Sequence, residues 1–264
     1  MLTTETFFDV TSYAHQSLFT GQDPVWTPLK KLQEYINSQA YPSLKKYFAD
    51  GEPLTRTLVL VDGEIITSKV IIVPGDVTRG QLKVYRNEEL LPDASVIMAG
   101  AVLSGTKIGL GKGVFVESGA LIKSPALLGD YTEVRQGAYL RGCCLTGKRC
   151  VIGHVTEVKN TIFMDDAKAG HFAYLGDSIL GNDVNLGAGT KLANLRFVKG
   201  DIAVKTPSGP IVTGLRKLGA ILGDHVQTGC NSVTNPGTLL GKRSMILPNT
   251  TAPSGYHPEG SLIR

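Results

Sequence analysis

The residues best able to do chemistry lie close together in the chain. From Ile152 to Asn194 it reads IGHVTEVKN and, further on, AKAGHFAYLGDSILGNDVNLGAGTKLAN. His171 could take a proton from a nucleophile, provided a neutral imidazole lies within hydrogen-bond reach. The Tyr174 hydroxyl and the Asn185 amide could bond the hydroxyls or amine of a polar substrate. Plainer readings stand beside these: a structural histidine at a corner, a packing tyrosine, an asparagine ladder. His154, His225 and His257 lack such company and read as structural or surface groups. The cysteines, Cys143, Cys144, Cys150 and Cys230, show no C-x-x-C spacing. They are read as reduced thiols acting as small buried hydrophobes, with no metal expected.

The rest of the chain must position these groups. Apolar residues recur every six positions at Val96, Val102, Ile108, Val114, Ala120 and Ala126. After a slip of two they continue at Leu128, Val134, Leu140, Thr146, Ile152 and Val158. They resume at Leu180, Leu186 and Leu192, and again at Leu222, Thr228, Thr234, Leu240, Ile246 and Ala252. A period of six fits neither a helix nor a simple strand. It marks a hexapeptide-repeat β-solenoid, in which each hexad is a short strand plus a turn and the apolar marker points inward. Glycine, 31 of 264 residues, suits the many tight corners. One coil cannot bury its own face, so the coils must stack. The fold class is therefore all-β, a parallel β-helix over residues 96–264.

Residues 1–95 read as a small mixed α/β segment. A helical run spans Thr27 to Ile36, with Pro28 near its start and Leu29, Leu32, Tyr35 and Ile36 on one face. A second short helix is expected over Tyr41 to Phe48. LVLVDGEII and VIIVPGD then read as strands, with a hairpin at Asp62-Gly63. The segment is expected either to cap the open end of the solenoid or to meet a partner enzyme that supplies nucleotidyl transfer. Between Leu192 and Leu222 the repeat breaks off. Val198 to Val212, turning at Pro207, Ser208 and Gly209, predicts a hairpin arm near 196–216. Such an arm is expected to reach a neighbouring subunit or a ligand.

Several motifs have a family likeness. They are the run around Lys159, K-A-G-H-x-x-Y-L-G-D from Lys168 to Asp177, V-N-x-G-A-G-T from Val184 to Thr190, and the later I-L-G-D and T-G-C. Across about Leu140 to Ile246 the sequence resembles the C-terminal acetyltransferase domain of the bifunctional N-acetylglucosamine-1-phosphate uridyltransferase/glucosamine-1-phosphate acetyltransferase family. The resemblance implies a left-handed β-helix of about 18 residues per coil. It also implies a homotrimer with active sites between subunits, and acetyl-CoA as co-substrate.

In that frame His171 matches the general base that takes a proton from the sugar amine. Arg141 and Lys159, one such coil apart, match cations that hold the sugar phosphate. Like charges stacked on one face repel unless an anion lies between them, although two solvated surface charges would look the same in sequence. Arg135, in RQGA, is a rival for the first role. Tyr174 and Asn185 match sugar contacts, and Lys217 aligns with a phosphate-binding lysine if the arm is an insertion. On the cofactor side, the Ala188 N–H would act as an oxyanion donor to the thioester carbonyl. Asn194 matches a residue beside the cofactor, and Cys230 stands where the family often has serine. The chain departs from the pattern at Leu195, where tyrosine is usual, and at Pro248, which has no N–H to donate.

Composition removes other classes. The net charge of +4 is too small and too evenly spread to argue for nucleic acid. No apolar run reaches membrane-spanning length, and the N-terminus has no signal-peptide pattern, so a cytoplasmic protein is expected. The family's nucleotidyltransferase half needs a G-x-G-T-x-M-like loop and a Rossmann-like domain. Residues 1–95 offer neither, so no pyrophosphorylase activity is expected. The expected function is acetyl-CoA-dependent N-acetylation of glucosamine 1-phosphate or a related amino-sugar phosphate or nucleotide. The alternatives are a same-fold acyltransferase with another acceptor or a longer acyl donor, and a non-catalytic trimeric sugar-nucleotide-binding remnant.

Overall fold

Each hexad forms one short strand, and successive strands stack in parallel on three faces of a prism of about nine turns. The computed structural model describes residues 2–19 and 21–264. The first face runs from Ser95–Ile97 to Leu262–Ile263 and includes Val151–His154, Lys168–His171 and Asn185–Leu186. The second runs from Val102–Ser104 to Thr251–Ala252 and includes Glu157–Lys159 and Tyr174–Gly176. The third runs from Ile108–Leu110 to Gly255–His257.

The axial core explains the two phases seen in the sequence. Val114 with Val116, Ala120 with Ile122, and Ala126 with Leu128 are all buried in it. Each hexad thus points two residues inward, and the apparent slip between Ala126 and Leu128 is a switch between these positions. Val96 and Val102 are out of phase for a different reason. Strand alternation sends Ile97 and Leu103 inward, while Val96 packs outward against Val59 and Phe115. The true phase change follows Val158. From Cys144↔Thr161 to Lys168↔Asn185, neighbouring coils are offset by 17 residues rather than 18. Two hexads are shortened by one residue, Val158 to Phe163 and Leu175 to Leu180, with Asn160 and Asp177 at positive φ taking the tightened corners.

The N-terminal residues cover the solenoid in two places. Leu44, Leu54 and Leu58 enter the axial core at its first end. Leu58–Val61 pairs antiparallel with Ser95–Ile97 and extends the first face. It turns through Asp62 (φ 49°) and Gly63 (φ 79°) into Glu64–Ile66, and two positive φ values in a two-residue loop match the strand twist. The helix Thr27–Asn37 buries Leu29, Leu32 and Ile36 in one cluster with Leu145, Ile162 and Ile179 on the outer side of the third face. The second helix expected over Tyr41 to Phe48 is absent. Only a single 3-10 turn, Lys45–Tyr47, forms there. Pro42 removes a helical donor, and the axial core claims Leu44.

The arm is a short hairpin, Ala203–Val204 paired antiparallel with Ile211–Val212. It folds back along the third face instead of projecting freely. Ile202 and Val204 are buried in the same cluster as Ile221 and Leu239, and the Tyr256 N–H donates to the Lys205 carbonyl at 2.8 Å. Its outer side leaves Phe197, Val198 and Val212 exposed.

Candidate active site

His171 ends a first-face strand, and Phe172 turns the chain toward Tyr174 on the second face. The corner carries a ladder of backbone bonds. Phe172 N–H donates to His154 O, Gly189 N–H to His171 O, Asn231 N–H to Ala188 O, and Asn249 N–H to Cys230 O. His154, His171, Ala188, Cys230 and Pro248 therefore form one column, each a coil from the next. Three of the expected site residues, His171, Ala188 and Cys230, share this edge.

The chemistry available at the edge follows from what is free there. The rings of His154 and His171 stack with centroids 6.0 Å apart and planes inclined by 24°. Among the described residues neither ring makes a hydrogen bond, and His171 is exposed, so both of its nitrogens are open to a substrate. The Ala188 N–H likewise has no acceptor among the described residues. The flanking residues are Gly187 and Gly189, and an added Cβ at Gly187 would come within 2.5 Å of Gly229. A free N–H in a turn stripped of side chains fits the polarised carbonyl of a thioester. Pro248, further along the column, offers no such donor.

Arg141 and Lys159 stand in adjacent coils at the far edge of the second face, since Leu140 pairs with Val158 and the Arg141 N–H donates to Val158 O. The Arg141 charge is already answered. Its Nη1 lies 2.6 Å from Glu157 Oε1, and this bond raises its pKa further above the usual guanidinium value. Lys159 has no ion-pair partner among the described residues. Arg135, the rival cation, is paired with Glu133 at 2.9 Å on the first face and does not stack with Lys159.

Tyr174 is half-buried beside Glu157, its neighbour in register. Its hydroxyl donates to Asn194 Oδ1 at 3.3 Å, and burial, then the charges of Glu157 and Asp177, push its pKa up. It remains a protonated donor. Asn194 is buried, with its Nδ2 donating to Asp177 Oδ2 at 2.5 Å, while Asn160 Nδ2 donates to Asp177 Oδ1 at 2.8 Å. The Leu218 N–H donates to Asn194 O at 3.0 Å, which returns the chain to this network just after the exposed Lys217. Asn185 is exposed on the first face, in register with Lys168 and Gln227. One chain thus gathers His171, Ala188 and Cys230 on one edge and Tyr174, Asn194, Arg141 and Lys159 on the second face. Asn185 stays around the corner from Tyr174.

The sequence reading missed His154, Glu157, Asp177 and Phe172. The signal for His154 was its 17-residue distance from His171, hidden by the assumption of 18. Asp177 lay inside the quoted K-A-G-H motif, and Glu157 two residues before Lys159. The cysteines divide. Cys144 and Cys150 are buried, and burial pushes the Cys144 thiol up to about 12 and the Cys150 thiol up as well. Cys230, by contrast, is exposed, contrary to the reading as a buried hydrophobe.

Comparison with known proteins adds to this geometry. Over 151 residues the chain is 37% identical to a bifunctional sugar-1-phosphate nucleotidylyltransferase/acetyltransferase of Sulfurisphaera tokodaii, covering 50% of this chain and 38% of that protein. These proteins are its homologues. Another is the bifunctional protein GlmU of Methanococcus maripaludis, 35% identical over 127 residues, covering 48% of this chain and 31% of that protein. A third is GlmU of Wigglesworthia glossinidia brevipalpis, 28% identical over 163 residues, covering 55% of this chain and 35% of the relative. The chain thus matches less than two-fifths of the length of these GlmU-type proteins. No protein-family model matches it. Among the described residues no helix is long and apolar enough to cross a membrane, and no cluster of three or more metal-ligating side chains occurs.

Proposed function

We propose that the protein transfers an acetyl group from acetyl-CoA to the amine of glucosamine 1-phosphate or a related amino-sugar phosphate or nucleotide. The observation that carries this reading is the corner itself: an exposed imidazole with both nitrogens free among the described residues, one coil from an N–H that finds no acceptor among them, in a glycine-flanked turn. His171 removes a proton from the amine as its nitrogen bonds to the thioester carbonyl carbon. The C–S bond breaks, and the departing thiolate takes up the proton. The Ala188 N–H holds the carbonyl oxygen while it carries negative charge. Lys159, Arg141 and Lys217 face the phosphate, while Tyr174 and Asn185 orient the sugar. Asn194 and Cys230 lie on the donor side.

The division of these groups between two faces supports a homotrimer, in which the first face of one copy would complete the second face of the next. Nucleotidyl transfer, which appears in the name of the Sulfurisphaera relative, is not assigned to this chain; a separate enzyme would supply it. The exposed Leu195 and the donor-less Pro248 favour a second reading, a same-fold acyltransferase with a different acyl donor. The test mixes purified protein, acetyl-CoA and glucosamine 1-phosphate and follows free CoA with a thiol reagent. Steady release supports the reading. Absence of release with acetyl-CoA but turnover with longer acyl-CoAs moves it to the second, and absence with every donor, on glucosamine 1-phosphate and on other amino-sugar phosphates and nucleotides alike, overturns both.

A further inference from the structure

We propose that Phe172 and Val155 form an apolar shelf that receives the acyl group of the donor and sets its permitted length. The inference rests on the acyl-transfer reading above. Phe172 and Val155 follow His171 and His154 in neighbouring coils at the same corner, and both are exposed, at 56% and 62%. Both are held at positive φ, 35° and 53°. That region strains a side chain with a Cβ, and a β-branched one most.

The repeat provides its own control. At the same corner in other coils the chain uses Gly137, Gly189, Asn231 and Asn249, residues that take positive φ readily. Two other bulky residues at positive φ have polar partners: Tyr131 bonds Asp93, and Arg149 pairs with Asp166. Among the described non-glycine residues at positive φ, Val155 and Phe172 are those with hydrocarbon side chains. They gain no hydrogen bond for the strain and remain in water, so the fold alone does not account for them.

Their position identifies the occupant. The Phe172 ring lies over Gly189, so close that a Cβ there would meet its Cε2 at 3.1 Å. Gly189 follows Ala188, whose N–H is free. On the other side Val155 Cγ2 lies 3.2 Å from where a Gly137 Cβ would stand. A thioester whose carbonyl oxygen takes the Ala188 N–H, within reach of His171, lays its alkyl group along this hydrocarbon edge.

The test compares wild type with Phe172→Asn and Phe172→Ala. Asparagine is the residue the corner uses elsewhere, so that variant keeps the backbone. For each protein, kcat/KM is measured with acetyl-, butyryl- and hexanoyl-CoA and glucosamine 1-phosphate, and the oligomeric state by analytical ultracentrifugation. The butyryl-to-acetyl ratio should rise about tenfold or more in both variants, as expected when a pocket gains room for further methylenes, with the oligomer unchanged. An unchanged or lowered ratio overturns the proposal, as does dissociation of the assembly, which would make the shelf a contact with a second copy. If wild type is inactive with all three donors, the underlying reading has failed before any variant is compared.

Discussion

His154 and His171 stack one coil apart, their planes inclined by 24°. Neither ring is tied down by a hydrogen bond among the described residues. The lower imidazole therefore limits how the upper one can turn without occupying either nitrogen, which is what a base that must meet an incoming amine requires.

Replacing His171 by alanine should lower kcat for acetyl transfer by about 10²- to 10⁴-fold, the usual worth of a positioned base. KM for acetyl-CoA should stay within about threefold, because the Ala188 turn is untouched. Initial rates of CoA release across both substrates measure this. A His171→Ala enzyme with the wild-type kcat would remove the imidazole from the mechanism.

Lys159 and Arg141 should separate in their effects. Lys159 has no carboxylate partner among the described residues, so Lys159→Met should raise KM for the phosphorylated sugar about 10- to 100-fold, the loss expected for a bond to a charged group. Glu157→Gln frees the Arg141 guanidinium from its 2.6 Å partner and should lower that KM. Both effects should shrink at high salt, since the Arg141–Glu157 pair is substantially solvent-exposed. Equal KM values in all three proteins would place the phosphate elsewhere.

Asp177 receives two side-chain amides, from Asn160 and Asn194. Asp177→Ala leaves both without an acceptor at the point where the arm rejoins the solenoid, and should cost about 2–4 kcal/mol of stability. Asp177→Asn, which keeps one acceptor oxygen, should cost less. Chemical denaturation midpoints compare the two, and equal midpoints would mean that water takes over these bonds.

His15 predicts a pH dependence of the N-terminal packing. Burial lowers its pKa below the ordinary 6.5, with Asp165 opposing the shift, and its Nδ1 lies 2.8 Å from the Tyr35 hydroxyl. The unfolded chain then binds a proton at His15 more readily than the folded one. The stability contributed is fully present above 6.5 and is lost as pH falls from there toward the depressed folded value. Between about pH 7 and about 5.5, Tm should fall more steeply in wild type than in His15→Phe. Parallel curves would assign the slope to another group.

The solenoid was legible in the sequence because its determinant is periodic. Each hexad repeats the same burial requirement, so Leu140, Ile152 and Leu186 announce themselves by spacing. What the period conceals is how coils of unequal length line up. The shortening after Val158 changes which residues become neighbours, so His154 was read as a bystander. The Tyr41–Phe48 helix failed for another reason: Leu44 satisfies a tertiary demand at the prism's end that local propensity does not encode. His171, Ala188 and Cys230 were named from motifs, but the edge they share was not read. Nor was the Tyr174–Asn194–Asp177 network, because its members are 17 and 20 residues apart and meet only through the coil.

The excursion over residues 193–219 leaves the stack beneath it undisturbed, since Ile179 pairs directly with Ile221 and Leu192 with Thr234. At this level the prism is closed by hydrogen bonds and side-chain packing, while the covalent path detours through the exposed Pro207 and Ser208. Polypeptide continuity should therefore be dispensable there. A chain cleaved after Ser208 would remain one particle in gel filtration and become two bands only in denaturant. The arm thus marks a point at which the folded molecule should tolerate a break in its chain.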